Sequence, residues 1–267
     1  MDRDETVDSL ATVLRQDRQH FSVLTLNRPK RRNALSGELI TALQTHLNSL
    51  ENNKEIRAIV ITGSGSGFCS GGDLAGGMMN SDGVVAAHEG RAAFGELLLA
   101  MRKHRAIIIA AVHGDALGGG LGLATGCDLV VADAKARFGT PEIRLGLFPW
   151  VILAVLNRHV GQKRLMEMVM TGEKMSAVAA LQIGLINRVV EEGTCMEEAE
   201  RLASDIAGRA PIPLSLGKAA FYHVADQTFE DSIQYLNTQL SLNLMTEDAM
   251  EGVGAFLQRR APVWKGR

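Results

Sequence analysis

The chain has 267 residues, of which 46% are hydrophobic, with a net charge of -2 and a pI near 6.4. A chain of this length and apolar content buries a substantial core, which excludes an intrinsically disordered protein. The near-neutral charge leaves no electrostatic footprint for nucleic acid, so no nucleic-acid partner is expected.

The predicted elements of the first half alternate between short apolar strands and longer helices. Ser36 is the predicted N-cap of the first helix, whose buried stripe includes Leu39, Leu43 and Leu47. This alternation predicts a parallel, helix-covered sheet and hence an α/β fold. In chain order we predict strands at 11–14 and 21–26, a helix over 36–50, a strand at 58–62, a helix over 84–103, a strand at 107–112, a short glycine-rich helix, and strands at 128–132 and 137–138.

The pattern becomes helical after Pro149. Glycines and prolines mark the stops and starts between the segments, and one strand is predicted at 186–190. We therefore expect a sheet-rich core over residues 1–200 and a helical region over 201–267. The predicted helices lie near 151–159, 162–170, 176–182, 196–208, 213–225, 229–242 and 247–259.

Cysteine usage and the N-terminal residues bear on cellular location. Cys69, Cys127 and Cys195 are odd in number and widely spaced, which favours neither a disulfide framework nor a metal site. Residues 1–5 are acidic and polar, unlike the start of a signal peptide, and no uncharged apolar run reaches about 18 residues. We therefore expect a cytoplasmic protein with no membrane partner.

Two glycine-rich segments follow predicted strands. Residues 118–122 come shortly after the strand at 107–112, and residues 63–73 follow the strand at 58–62. Glycine lets backbone N–H groups approach a ligand closely, so the two segments together predict the converging donors of an oxyanion hole. Residues 118–122 lack dinucleotide-loop spacing, and neither segment is followed by the Gly-Lys-Ser/Thr of a P-loop, which makes phosphate binding the weaker interpretation. Tight turns or close helix–strand packing are the structural alternative.

An oxyanion hole needs a partner that moves protons, and Glu142 is the candidate. It follows Pro141, and the apolar residues after it favour a buried carboxylate with a raised pKa. The alternative is a glutamate in the first turn of a helix, stabilised by the helix dipole. His113 beside the second glycine segment is left unassigned, because a lone histidine is more often a scaffold residue. Ser70 does not lie in a G-x-S-x-G motif, so no hydrolase elbow is indicated.

Several motifs occur together in a specific order. In this combination the sequence resembles the crotonase family of enoyl-CoA hydratases and isomerases, and the match covers nearly the whole chain. The motifs are Leu26-Asn27-Arg28-Pro29 with Asn33-Ala34-Leu35, Phe68-Cys69-Ser70-Gly71-Gly72-Asp73-Leu74, Ala116-Leu117-Gly118-Gly119-Gly120 followed by Cys127-Asp128, and Phe138-Gly139-Thr140-Pro141-Glu142.

The resemblance implies a spiral of ββα units and a C-terminal helical region that builds trimers or paired trimers. It also implies an acyl-CoA substrate and no separate cofactor, since coenzyme A is part of the substrate. The N–H groups of Gly72 and Gly119 would hold the thioester oxygen, with Glu142 as the acid/base. The resemblance further implies a set of CoA contacts: Arg28 and Lys30 at the phosphates, Ser70 and Asp73 near adenine, and Phe256, Arg259 and Lys265 near a neighbouring subunit's CoA.

The chain departs from the family hydratases at Gly122. Those enzymes carry two glutamates, and Gly122 stands in the place of the first while Glu142 matches the second. Three hypotheses therefore stay open: a hydratase that recruits Glu89 or Glu96, an isomerase that uses Glu142 alone, and a non-catalytic acyl-CoA-binding protein. If the missing carboxylate limits hydration, Gly122→Glu is expected to raise hydratase turnover.

Overall fold

The computed structural model describes residues 11–74 and 84–267, and of residues 84–91 it describes the backbone only. The strands are β1 Val13–Asp17, β2 Phe21–Leu26, β3 Ala58–Gly63, β4 Ile107–Val112, β5 Asp115–Leu117, β6 Leu129–Asp133, β7 Arg137–Gly139, β8 Met175–Ser176 and β9 Arg188–Val190. The helices are α1 Gly37–Asn52, α2 Val84–Lys103, α3 Gly119–Thr125, α4 Trp150–Leu156, α5 Gln162–Thr171, α6 Ala177–Gln182, α7 Cys195–Ala207, α8 Pro211–Val224, α9 Phe229–Leu244 and α10 Glu247–Leu257, with 3-10 helices at Pro29–Arg31 and Pro141–Leu145.

The larger sheet has the strand order β1-β2-β3-β4-β6-β9 within the described residues, and all its pairings are parallel except β1 with β2. Alternate residues of β3 face opposite sides of this sheet. Ile59 and Ile61 belong to the core cluster that includes α1, whereas Ala58 and Val60 pack with the alanines of α7. Both faces are therefore covered, which explains why β3 reads as a continuous apolar run.

Helix α1 forms as its sequence predicts. The hydroxyl of Ser36 accepts a hydrogen bond from the backbone N–H of Leu39, which caps the helix. The buried residues of α1 recur at the spacing of a single helix face, so the helix lies along the sheet with its polar side in solvent. These buried residues are Leu39, Ile40, Leu43, Leu47 and Leu50.

A second, smaller sheet has the order β5-β7-β8. Strand β5 runs parallel to β7, and β7 runs antiparallel to β8. Isolated bridges of Cys69 with Ala116 and of Leu35 with Gly72 attach two further segments to this sheet. The sequence predicts neither β5 nor β8, because three and two residues are too few to show a strand periodicity.

Helix α8 is attached to the core through a buried lysine. Lys218 Nζ donates to Asp128 Oδ2 at 2.7 Å and to the carbonyl oxygens of Met101 and Ala106. The hydroxyl of Tyr222 donates to the other oxygen of Asp128, also at 2.7 Å. A buried ammonium is tolerated here because it has three acceptors, one of them a carboxylate.

The predicted boundary between residues 200 and 201 falls inside α7. Helix α7 packs along its whole length on the larger sheet through Cys195, Ala199, Ala203 and Ala207. The division of the chain into two regions stays a prediction. Across the described segments, no helix is both long and apolar enough to cross a membrane.

Candidate active site

The smaller sheet brings two distant segments of the chain together. In the register of β5 with β7, Leu117 pairs with Gly139. Gly118 N–H continues this pairing by donating to the carbonyl oxygen of Gly139 at 2.9 Å. Because the two parallel strands end side by side, the start of α3 lies next to the 3-10 helix that carries Glu142.

The carboxyl group of Glu142 lies against Gly118. A Cβ atom on Gly118 would come within 2.7 Å of Glu142 Oε1, and the backbone of Gly118 has a φ of +51°. Only glycine fits this position comfortably, because both the conformation and the carboxylate disfavour a side chain. Glu142 therefore lies against the residue that directly precedes Gly119, the first residue of α3.

Glu142 occupies an environment that disfavours its charged form. The residue is half-buried, and Oε2 is fully buried without a hydrogen-bond partner among the residues described. Burial is the main effect on the pKa of this carboxyl group and raises it above the ordinary value of 4.5, while a hydrogen bond from its own backbone opposes the rise. A carboxyl group with a raised pKa and one buried, unpartnered oxygen is typical of an acid/base group.

Gly72 lies close to Gly119. Leu35 bridges this segment by donating its N–H to Gly71 O at 2.8 Å and accepting from Asp73 N–H at 3.1 Å. Gly72 N lies 3.6 Å from the place that a Cβ on Gly119 would take. Within residues 11–74 and 84–267, neither Gly72 N–H nor Gly119 N–H donates to another protein atom. The structure thus brings the three predicted catalytic residues together, while their roles remain predictions.

An apolar wall borders these groups, formed by Leu35, Phe94 and Ile152. Leu35 Cδ1 and Phe94 Cε1 would lie 3.0 and 3.8 Å from a Cβ on Gly119. The same aromatic ring lies 3.7 Å from the corresponding Cβ position on Gly122. That position would overlap Ile152 Cγ2 and lie only 2.8 Å from Ile152 Cβ.

The expectation for Gly122→Glu is therefore corrected by the structure. The place of a side chain at Gly122 is filled by Ile152, which is 3% exposed and belongs to the core. A glutamate there would have to displace a packed side chain before it could activate water. The sequence gives no signal for Ile152 or Phe94, because their relation to Gly122 arises only when α2, α3 and α4 pack together.

The residues that resemblance places at the CoA phosphates and adenine have mixed surroundings. Arg28 donates to buried Asp73 at 2.8 Å and also to the carbonyl oxygen of Ala34, so its guanidinium is held by the protein. Lys30 is exposed on the first 3-10 helix.

Ser70 lines a cavity of about 180 Å³ whose lining also includes two cationic residues, Arg32 and Lys135. Arg32 belongs to a basic run visible in the sequence, whereas nothing in the sequence connects Lys135 with this cavity.

The three C-terminal residues lie on or after α10. Phe256 is 81% exposed, Arg259 is exposed, and Lys265 Nζ lies 3.0 Å from a carboxylate oxygen of Glu247. Helix α10 packs against α9. Within the part of the chain that the structure describes, the hydrogen bonds and ion pairs of these three residues stay in the C-terminal segment.

The remaining candidate groups do not add a second acid to the site. Glu96 is exposed on α2, and the side chain of Glu89 lies outside the described residues. A ring nitrogen of His113 lies 3.1 Å from the carbonyl oxygen of Gly65, as expected for a scaffold histidine. Among the residues searched, no cluster of His, Cys, Asp and Glu is arranged to hold a metal ion.

Comparison with known proteins identifies the class of protein. The profile of the Enoyl-CoA hydratase/isomerase family matches residues 16–267. A crystal structure of enoyl-CoA hydratase from Mycobacterium smegmatis superimposes with a TM-score of 0.91 at 36% identity, covering 95% of this chain and 98% of that one. The α/β architecture with its C-terminal helices is thus the crotonase fold, as the sequence predicts.

The relatives in sequence agree with the structural match. The 2,3-dehydroadipyl-CoA hydratase of Escherichia coli is 38% identical over 250 residues, which cover 93% of this chain and 96% of the relative. The human enoyl-CoA hydratase domain-containing protein 3, described as mitochondrial, is 36% identical over 249 residues, covering 90% and 79% respectively. The chain therefore belongs to the enoyl-CoA hydratase/isomerase family.

Proposed function

We propose that this protein is an enoyl-CoA isomerase that uses Glu142 as its only acid/base group. The observation that carries the proposal is the surroundings of Glu142: its Oε2 is buried without a described partner, and the place of a second carboxylate at Gly122 is filled by Ile152. A single carboxylate suffices to move a proton within one substrate. Addition of water is easier when two carboxylates share that water.

In the proposed reaction the Glu142 carboxylate takes a proton from Cα of a 3-enoyl-CoA. The electron pair of the broken C–H bond is delocalised as a dienolate, whose charge rests largely on the thioester oxygen. The N–H groups of Gly72 and Gly119 stabilise that oxygen, each contributing about 3 kcal/mol to the transition state. The neutral carboxylic acid then returns the proton to Cγ, which leaves the double bond at the 2 position.

The raised pKa of Glu142 supports both halves of this cycle. A carboxylate with an ordinary pKa is a weak base near neutral pH, and burial makes it a stronger one. After it takes the proton, the same carboxyl group must give the proton back, which is most efficient when its pKa lies close to the working pH. The proposed reaction uses no cofactor beyond the CoA of its substrate.

An enoyl-CoA hydratase is the second candidate function. It is favoured by the relatives in sequence, among which is a hydratase 38% identical to this chain. Hydration would need another group to activate water, and Glu96 is exposed on α2. The acyl-CoA-binding protein without catalysis is the least supported alternative, because Glu142 is retained beside the two glycine N–H groups.

The deciding experiment measures both reactions with the purified protein. A short 3-enoyl-CoA is assayed for conversion to the 2-enoyl-CoA, and a short 2-enoyl-CoA for addition of water. The proposal expects isomerisation to exceed hydration, and Glu142→Gln to reduce isomerisation by about 10² to 10⁴-fold. Hydration at about 10 per second or more in the wild-type protein would favour the second candidate. Isomerisation that survives Glu142→Gln would refute the assignment of Glu142.

We further propose that the protein assembles into trimers or paired trimers. Apolar residues of α9 recur at the spacing of one helix face, and within the described residues α9 has no fully buried side chain. A large exposed apolar face is typical of an interface. The residues of this face are Phe229, Ile233, Leu236, Leu240 and Leu244. Analytical ultracentrifugation at micromolar concentration tests the proposal, since particles of only 28.7 kDa would contradict it.

A further inference from the structure

We propose that Ile152 is a specificity-determining residue that directs the site toward proton transfer and away from addition of water. The inference rests on the proposed function, because it concerns the partition of the same bound thioester between two products. Its basis is the position of Ile152 on the side of α3 where Gly119 faces Gly72 N and the ring of Phe94.

Two glycines of α3 place that side of the helix against the site. Gly119 and Gly122 are three residues apart on α3, so their side-chain directions point to roughly the same side of the helix, and Gly118 precedes them as the N-cap. A Cβ on Gly119 would lie 3.0 Å from Leu35 Cδ1 and 3.6 Å from Gly72 N, and a Cβ on Gly122 would overlap Ile152 Cγ2. The Cβ direction of Gly118 meets Glu142 Oε1. The Ile152 methyl group therefore lies about one turn of α3 from the place where Gly119 faces Gly72 N.

The ring of Phe94 makes the apolar wall continuous. Its Cε1 atom lies 3.8 Å from the Cβ position of Gly119 and its Cζ atom lies 3.7 Å from that of Gly122. The ring therefore spans the distance between these two positions. Leu35 completes the wall on the Gly119 side. A water molecule needs two to four polar partners to be held in a buried place, and these three side chains supply none. Along this wall the substrate itself is the best proton acceptor for protonated Glu142.

Helix α4 fixes Ile152 in this place. Ile152 is 3% exposed and Leu156, one turn later, is fully buried, so both anchor the same face of the short helix in the core. The absence of a side chain at Gly122 allows α4 to pack closely on α3. At Gly122, where the family hydratases carry a carboxylate, this chain thus has an apolar contact with Ile152.

The test compares Ile152→Val with Ile152→Thr. Valine and threonine have nearly the same shape, so the pair differs mainly in one hydroxyl group that can hold a water molecule. Each variant and the wild-type protein is given a protiated 3-enoyl-CoA in D₂O, and the deuterium content of the 2-enoyl-CoA product is measured by mass spectrometry. The ratio of hydration to isomerisation is measured in parallel. Leu156→Val is the matched control, because it shortens a buried residue of the same helix one turn away.

The wild-type and Ile152→Val proteins are expected to return mainly the substrate's own proton and to hydrate poorly. Ile152→Thr is expected to raise both the deuterium content and the hydration ratio by about fivefold, roughly the rate equivalent of one hydrogen bond. Leu156→Val should change neither readout. Equal values for the threonine and valine variants would overturn the role of Ile152. Absence of isomerisation in the wild-type protein would instead refute the proposed function, so the two failures are distinguishable.

Discussion

Replacing Gly122 with alanine tests the packing of α3 against α4 without assuming any activity. In an open helical position this substitution stabilises a protein by about 1 kcal/mol, because alanine restricts the unfolded chain and favours the helix. At Gly122 the new methyl group would overlap Ile152 Cγ2 and lie 2.8 Å from Ile152 Cβ. Overpacking of a core costs about 1–3 kcal/mol. We therefore expect Gly122→Ala to lower the free energy of unfolding by up to about 2 kcal/mol.

The chain offers a matched control for this substitution. Gly217 lies in the middle of α8, and apart from the adjacent residues and the backbone of its own helix no described atom lies within 4 Å of the place its Cβ would take. Gly217→Ala should raise the free energy of unfolding by about 0.5–1 kcal/mol. Both variants are measured by urea denaturation at one protein concentration, because assembly makes apparent stability depend on concentration.

A double-mutant cycle with Ile152→Ala assigns the effect to the contact. Ile152→Ala by itself is expected to cost about 2–5 kcal/mol, since it leaves a cavity in the core. In that background Gly122→Ala should cost less, with a coupling energy of about 0.5–3 kcal/mol, although the 2.8 Å approach to the Cβ of residue 152 remains. Equal gains in stability from Gly122→Ala and Gly217→Ala would refute the packing argument. Gly122→Glu meets the same atoms, so increased hydration is expected only when Ile152 is also shortened.

Three further predictions follow from buried charges. Because burial raises the pKa of Glu142, its contribution to stability is present below its ordinary pKa of 4.5 and is lost as pH rises through the raised value. Glu142→Gln should therefore raise the free energy of unfolding at pH 7, and urea denaturation across pH should show this gain vanish in acid. The acidic limb of kcat/KM for isomerisation should lie above pH 4.5, since the carboxylate is the proposed base; a limb at or below that pH would contradict the assignment. Lys218→Met should lower the free energy of unfolding by about 3–5 kcal/mol, because it leaves Asp128 without its buried cation. Lys135→Met breaks an exposed pair with Glu192 and should change the free energy of unfolding by less than about 1 kcal/mol. Similar losses in these two variants would refute the reasoning.

The sequence alone determined the family, the α/β class and most of the long elements. The apolar spacing and the Ser36 cap predicted α1, and the continuous apolar run predicted β3, because such signals are local and periodic. The motif containing Glu142 and the two glycine-rich segments identified the residues that meet at the candidate site. Those motifs carry information because each is a fixed local combination of residue types.

Only the tertiary structure decided what surrounds these residues. Strand β5 has three residues, too few for a periodic signal, yet its register with β7 brings Glu142 to the start of α3. The sequence likewise showed a glycine at 122 and suggested that a carboxylate could be restored there. Ile152, thirty positions further along the chain, occupies that space because α4 packs on α3. The sequence shows which residue stands at position 122, because that information is local. The group that fills the space of its side chain depends on contacts between distant elements.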